Sequence, residues 1–263
     1  MPVDSPGGAE FLSCLSEIQM SHDYAPRMRL LTWNLGHQLN GGNAPDDAIT
    51  ALAALEPDIV ILTERLSSAA RHSFLASLAG LGLSHQLAPT PVPHSGHVLI
   101  ASRLKLVPGR LKARTTRDHL PSNMLHAYAP SGVLDVLGLR NPDSGSRPAA
   151  RRRCRDWLVR AATTLKHRRA ILVGNFSVDA DGERGDEIDD LRHLTDAGWK
   201  HAVPSDSAGY PAANGDAGRL DHAFLSPSVQ QIDARYALAA AGLRLTGTKD
   251  PLSDQPVLVV DLQ

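Results

Sequence analysis

The sequence predicts an α/β (α+β) layered fold. Apolar strand-like runs alternate with amphipathic helical runs from Met28 to Gln263, most of the strand-like runs are apolar almost throughout, and no long linker, repeat or low-complexity tract divides them. A strand without polar alternation is buried on both faces, and sheets of such strands covered by helices make a layered fold.

The expected strands are MRLLTWNL (28–35), DIVILTE (58–64), HVLIAS (97–102), GVLDVLGL (132–139), RAILVGNF (169–176), DHAFLS (221–226) and PVLVVDL (256–262). Between the first two, APDDAITALAALE opens with a proline and two aspartates, which suit the positive end of a helix, and continues with alanine and leucine at helical spacing. Segments 66–80, 147–168 and 186–198 read as helices on similar grounds. Residues 1–27, with prolines, a glycine pair and a short apolar patch of Phe11, Leu12, Leu15 and Ile18, read as an arm or leader, and 28–263 as one domain.

A chain of 263 residues can bury a substantial core without disulfides or structural metals. Its formal net charge of -1 argues against wholesale attraction to nucleic acid or an anionic membrane, while a local basic patch can still exist. Cys14 and Cys154 stand far apart with no C-x-x-C or Cys/His ligand spacing, so they read as buried or idle thiols. The first 26 residues lack a basic leader followed by an unbroken apolar segment, and no run approaches the roughly 18 apolar residues of a membrane span. A soluble cytoplasmic protein without a membrane or protein partner is the expectation.

Three apolar strands end in a polar residue able to bind a cation or a phosphoryl oxygen: LLTWN at Asn34, DIVILTE at Glu64 and ILVGN at Asn175. Singly, each is a plain turn or surface residue; together they call for a shared cause. Rigid strands hold their terminal side chains in fixed relative positions. Glu64 offers the hard carboxylate oxygen that Mg²⁺ prefers, and Asn34 offers a carbonyl oxygen or an NH₂ donor beside it. That set suits phosphoester chemistry.

GRLDHAFLS and LSDQPVLVV complete a recognisable order, and the chain resembles the endonuclease/exonuclease/phosphatase superfamily from Met28 to Gln263. Thr32-Trp33-Asn34 matches the family's first motif, PDIVILTE its second, and GNFS stands where the family has Gly-Asp-x-Asn. Arg219-Leu220-Asp221-His222 and Ser253-Asp254-Gln255 match the last two, the family's final motif being Ser-Asp-His. The resemblance implies a four-layered α/β-sandwich, two packed mixed sheets flanked by helices, and Mg²⁺ (or Mn²⁺) as cofactor. It makes Glu64 the principal metal ligand with Asn34 beside it. Asp221 would orient the residue of the last motif, and Asp254 would lie close to the metal. Arg140, near the place of the family's middle histidine or tyrosine, and Ser253 are the candidate substrate contacts.

The departures carry the most information. Where the family has the aspartate that takes a proton from the attacking water, this chain has Asn175; where it has the phosphate-contacting histidine, this chain has Gln255. Neither carboxamide can do acid-base work near neutral pH. Ser177, in place of the family's asparagine, is a milder change because a hydroxyl can still donate. The expected protein is a phosphodiesterase or nuclease in weakly active or inactive form. Because both changes conserve size and strike catalytic positions alone, a deliberately disabled hydrolase fits better than gradual decay into a binding module.

The substrate is less legible. Nucleic acid or a related phosphodiester comes first and a small phosphoester such as an inositol phosphate second; a binding protein using the same cleft is the non-enzyme alternative. Arg151, Arg152, Arg153, Arg155, Arg160, Arg168 and Arg169 could follow a phosphate backbone, although a solvated helix face is the plainer reading. Aromatics at 4% leave little material for stacking bases. Trp157 reads as core, His37 as a surface residue, and the glycine-containing stretches after Leu35 and before Arg219 as a rim.

Overall fold

The computed structural model describes residues 27–36, 44–64, 68–89, 97–112, 123–141, 148–177, 186–205, 220–246, 252–253 and 255–263. The expected arm and the patch at Phe11 to Ile18 lie outside them, as does His37. The elements are β1 (Met28–Gly36), α1 (Ala44–Leu55), β2 (Ile59–Glu64), α2 (Ser68–Gly80), β3 (His85–Leu87), β4 (His97–Ser102), β5 (Val107–Pro108), β6 (Met124–Ala129) and β7 (Leu134–Arg140). There follow α3 (Pro148–Leu165), β8 (Ala170–Asn175), α4 (Asp186–Asp196), β9 (Lys200–His201), β10 (Asp221–Leu225), β11 (Gln231–Ala237), β12 (Ala239–Ala240), β13 (Leu243–Arg244) and β14 (Val257–Leu262).

Two six-stranded mixed sheets result, one in the order β11-β14-β1-β2-β4-β3 and the other β5-β6-β7-β8-β10-β9. Alternate residues of each central strand serve different layers. Leu30, Ile59, Ile61, Val98 and Ile100 of the first sheet meet Val136, Ile171, Val173, Ala223 and Leu225 of the second. Their neighbours Leu31, Trp33, Val60, Leu62 and Leu99 turn the other way, onto Ala48 and Leu52 of α1 and Phe74 and Leu78 of α2. On the far side, Leu137, Leu139, Leu172 and Phe224 receive Cys154, Trp157, Leu158 and Ala161 of α3 and Leu191 and Leu194 of α4. This four-layered sandwich is the reason the strands carry no polar alternation. Trp157 is core, as its place on α3 suggested.

All the expected strands and helices are present. Reading periodicity passed over β6 because buried His126 interrupts its apolar run, and β11 because only Ala234 and Tyr236 of QIDARYA are buried, as befits an edge strand. Among the described residues, no helix is long and apolar enough to cross a membrane.

At the end of the first sheet where β1 begins, Arg29 and Asp261 are direct cross-strand partners. The Arg29 guanidinium donates to both Asp261 oxygens at 2.7 and 3.1 Å, and Arg235 of β11 reaches Asp261 at 3.3 Å. Burial pushes the Asp261 carboxyl up, but the Arg29 hydrogen bond and the two arginine charges outweigh it and hold the group below its ordinary 3.8. At the same end of the second sheet, buried Asp135 accepts from His126 Nε2 at 2.8 Å and from Arg168 Nε at 2.5 Å. The Leu111 N–H donates to His126 Nδ1 at 3.1 Å, so that nitrogen is the acceptor and the neutral ring carries its proton on Nε2.

Burial pushes the His126 imidazole below its usual 6.5 despite the pull of Asp135, with Arg168 lowering it further; burial alone does the same for His201. Both rings take up a proton less readily in the fold than in the unfolded chain, which charges below about pH 6.5, so stability is full above that pH and falls as pH drops through it. Urea unfolding midpoints are expected to be flat from pH 8 to about 7 and to decline toward pH 5, while the ring signals of His126 and His201 titrate at lower pH than those of exposed histidines. A depressed carboxyl works at the other limit: Asp261 stabilises above its unfolded value and that contribution disappears as pH falls through the folded one, below 3.8. Asp261→Asn is expected to cost about 1 kcal/mol in the same assay at pH 7, the pair being partly exposed.

Candidate active site

The strands whose ends were singled out finish at one edge of the sandwich. Parallel pairing sets Asn34 of β1 beside Thr63 of β2, and a bulge after Asn34 brings Gly36 into register with Glu64. In the second sheet β7 is parallel to β8 and β10 antiparallel to it, so Arg140, Asn175 and Asp221 form one row across three strands. Because β14 runs antiparallel to β1, the segment entering β14 lies beside the end of β1.

A chain of hydrogen bonds joins the two sheet edges. Ser253 Oγ donates to the Asn34 carbonyl at 2.5 Å and accepts the Gln255 N–H at 3.0 Å. Asn175 Nδ2 donates to Gln255 Oε1 at 2.8 Å. The orientation of each amide follows from a group that has no choice. The backbone N–H of Ser177 can only donate, and it donates to Asn175 Oδ1 at 3.0 Å, joined by Ser177 Oγ at 2.8 Å. Asn175 must then turn Nδ2 toward Gln255, Gln255 must answer with Oε1, and the Gln255 NH₂ stands at the end as a donor.

The turn that carries Asn175 is tightly specified. Gly174 has φ 137, and a Cβ there would stand 2.0 Å from the Leu139 carbonyl oxygen, so this position of the Gly-Asn pair admits no side chain. Ser177 takes φ 53, held by the bond from its N–H back to the side chain two residues earlier, an Asx-turn. On one side Phe176 N donates to the Leu220 carbonyl at 2.8 Å. On the other, Asn141 donates its N–H to the Asn175 carbonyl at 2.7 Å and its Nδ2 to the Phe176 carbonyl at 2.8 Å, and its own carbonyl accepts from Ser177 Oγ at 3.4 Å.

Beneath the turn the Phe176 ring meets His222 edge-on at 5.7 Å, and His222 Nδ1 lies 3.1 Å from Nε2 of His201, which stacks on Phe224. Asp221 is 2% exposed, and the Tyr236 hydroxyl donates to its backbone carbonyl at 2.9 Å. Asn175 and Gln255 are also buried, at 3% and 8% exposure.

The geometry thus gathers Asn34, Asn175, Ser177, Ser253 and Gln255 into one connected network, with Arg140 and Asp221 flanking Asn175 in the sheet. The hydroxyl of Ser253, expected to meet substrate, is engaged inward on Asn34 and Gln255. Glu64 ends β2 beside this network; its side chain and the whole of Asp254 lie outside the described residues. Asn141 escaped sequence reading, although Asn-Pro at a strand end is a turn signal that could have marked it. On α3, Arg152 and Arg160 are exposed, and Arg168, beyond the end of that helix, is committed to Asp135. A cavity of about 300 Å³ at the opposite end of the first sheet is lined by Arg27, Glu56 and Ile232 around the Arg29–Asp261 pair, whose groups are spent on one another and on Leu55.

Two outcomes follow from this packing. Gly174→Ala is expected to lower unfolding free energy by more than about 3 kcal/mol in urea, through collision with β7 and a left-handed φ. Ser177→Gly, which keeps the N–H and relieves the φ, is expected to change stability by less than about 1 kcal/mol in the same assay.

The sequence profile of the Endonuclease/Exonuclease/phosphatase family matches residues 31–241. Among solved structures, the fold is similar to the 3'-5' exonuclease NExo from Neisseria meningitidis, at 20% identity and TM-score 0.67, covering 89% of this chain and 98% of that one. It is similar to an AP endonuclease from Archaeoglobus fulgidus at 17% identity and TM-score 0.64, covering 89% and 98%. It also matches the 3' phosphatase NExo from Neisseria in an aspartate-to-asparagine form bound to product DNA hairpin, at 19% identity and TM-score 0.65, covering 90% and 99%. A curated protein named Ribose import ATP-binding protein RbsA, from Roseobacter denitrificans, is 34% identical over 133 residues, 45% of this chain. The chain spans only 25% of that protein's length, and its sequence contains no G-x-x-x-x-G-K-[S/T] phosphate-binding loop.

Proposed function

Because the chain belongs to the endonuclease/exonuclease/phosphatase family, we propose that it is a metal-dependent phosphoesterase with its acid-base pair replaced, built to act on nucleic acid or a related phosphodiester and binding such a diester far better than it hydrolyses it. The observation that carries this reading is the Asn175–Gln255 hydrogen bond. The place of the family's base and the place of its phosphate-contacting histidine are brought together, and neither side chain there can exchange a proton near neutral pH. Water attacking a phosphorus beside this pair would meet amide NH₂ groups where the family has its base and its histidine.

The donor chemistry fits a hard divalent cation. Asn34 and Glu64 lie on adjacent parallel strands and pair an amide with a carboxylate, a set that suits Mg²⁺ (or Mn²⁺) keeping several of its waters. Glu64 would be the principal ligand, with Asn34 beside it and Asp254 close by. The ion would supply charge neutralisation on the phosphoryl oxygens; Arg140 and the two NH₂ groups would orient the diester. Support for nucleic acid as substrate comes from the family and from the neighbours that act on or bind DNA.

One observation favours a second reading, a binding protein that uses the same cleft. The three departures from the family pattern, Asn175, Ser177 and Gln255, hydrogen-bond to one another directly or in sequence. Residues that satisfy each other fit a jointly settled arrangement as well as a disabled one.

The test compares the chain with its Asn175→Asp, Gln255→His double variant on single- and double-stranded DNA, RNA and a chromogenic diester in Mg²⁺. The phosphoesterase reading expects the double variant to gain about 10²-fold or more in turnover on at least one substrate and to lose it in EDTA. A double variant that stays inert on the whole panel would sink that reading in favour of the binding protein.

A further inference from the structure

Asn141, immediately after β7, is the point from which the turn at the site is gripped. Its backbone N–H, its side-chain Nδ2 and its carbonyl engage, in order, the Asn175 carbonyl, the Phe176 carbonyl and the Ser177 hydroxyl. A carbonyl can only accept, so the bond to Phe176 fixes which way the Asn141 amide faces. Two of these three contacts come from the backbone and are open to any residue but proline; the bond from Nδ2 is specific to this side chain. Leu220 holds the same turn from the β10 side through the Phe176 N–H. The turn therefore hangs between two strands, and its left-handed Ser177, a conformation that isolated chains avoid, is kept in place by the clamp.

We propose that Asn141 is a positioning residue of the site: by holding the Phe176 carbonyl it sets the Asx-turn, and through Ser177 it sets the direction in which Asn175 presents Nδ2 to Gln255. This rests on the reading of that pair as the phosphoester site only for its functional consequence; the structural claim stands apart. Losing the Nδ2 donor leaves the Phe176 carbonyl without its partner. The turn then relaxes, the Ser177 N–H swings away from Asn175 Oδ1, and the Asn175 amide is no longer compelled to face Gln255.

Asn141→Asp removes the donor at constant shape, and Asn141→Ala removes the whole group and serves if the first variant does not fold. Two measurements are made on the full chain. In the first, ¹H–¹⁵N spectra follow the side-chain NH₂ of Asn175, assigned by its loss in Asn175→Asp. The expected result is that its hydrogen exchange accelerates by about tenfold or more on mutation of Asn141, while the backbone amides of Leu172 and Val173 in β8 keep their protection. Unchanged exchange of the Asn175 NH₂ overturns the proposal, as does an equal loss of protection throughout β8, which would mark a residue holding the strand and not the turn. In the second, Asn141→Asp is combined with Asn175→Asp and Gln255→His and assayed on the panel. A positioning role expects kcat to fall about tenfold or more with KM within about twofold, because misplacing a reacting group costs rate; a rise in KM alone overturns it. If the double variant hydrolyses nothing, the phosphoesterase reading has failed, and the exchange measurement still decides the role of Asn141.

Discussion

The site exists because two independent sheets end together, and the link that holds those ends is the run of hydrogen bonds from Asn34 through Ser253 and Gln255 to Asn175. Hydrophobic packing between the sheets supplies most of the adhesion but is non-directional, and it would tolerate small slips of one sheet over the other. Directed bonds between buried polar groups do not. Each member of the run is buried or half-buried, so each has to be satisfied, and satisfaction is possible in one relative placement of the sheets.

Within that frame the carboxamides act as a fixed relay of polarity. The starting point is a backbone N–H, whose role cannot reverse, and each successive amide is forced to follow it. In a carboxylate and imidazole pair, a proton could sit on either partner according to pH and bound ligand. The amide pair admits one arrangement at every ordinary pH. On the proposed reading, the two positions that in an active relative would move protons, Asn175 and Gln255, here form a fixed pair of amides, so the site would keep its architecture without acid-base chemistry.

Much of the fold was legible because burial on both faces leaves its signature in composition: Leu30 and Leu31, or Ile171 and Leu172, are adjacent and both apolar since they serve different layers. The same signal missed β6, where His126 is buried and satisfied by Asp135 and Leu111, partners that lie outside the run and are invisible in its local pattern. For the site, Asn34, Asn175 and Gln255 could be named because motif order marks them, while their mutual bonding could not, since it depends on the antiparallel return of β14. Ser253 shows the limit: its position was legible, but the inward commitment of its hydroxyl is a tertiary fact. Asn141 was hidden by the arginine before it, whose charge draws attention that a neutral amide does not.

The placement of β1 carries a consequence for how the chain acquires its structure. β1 sits between β2, which follows it closely in sequence, and β14, whose Leu262 pairs with Met28. During synthesis, the half of the first sheet made from β1, β2 and β4 must wait with the β14 side of β1 unpaired until β14 itself has been made. For that interval Leu30, Leu31 and Trp33 lie along a bare sheet edge, the kind of surface on which unfinished chains stick to one another. Closing a ladder across such a separation is slow, so the pairing of β14 with β1 belongs among the late steps in forming the first sheet.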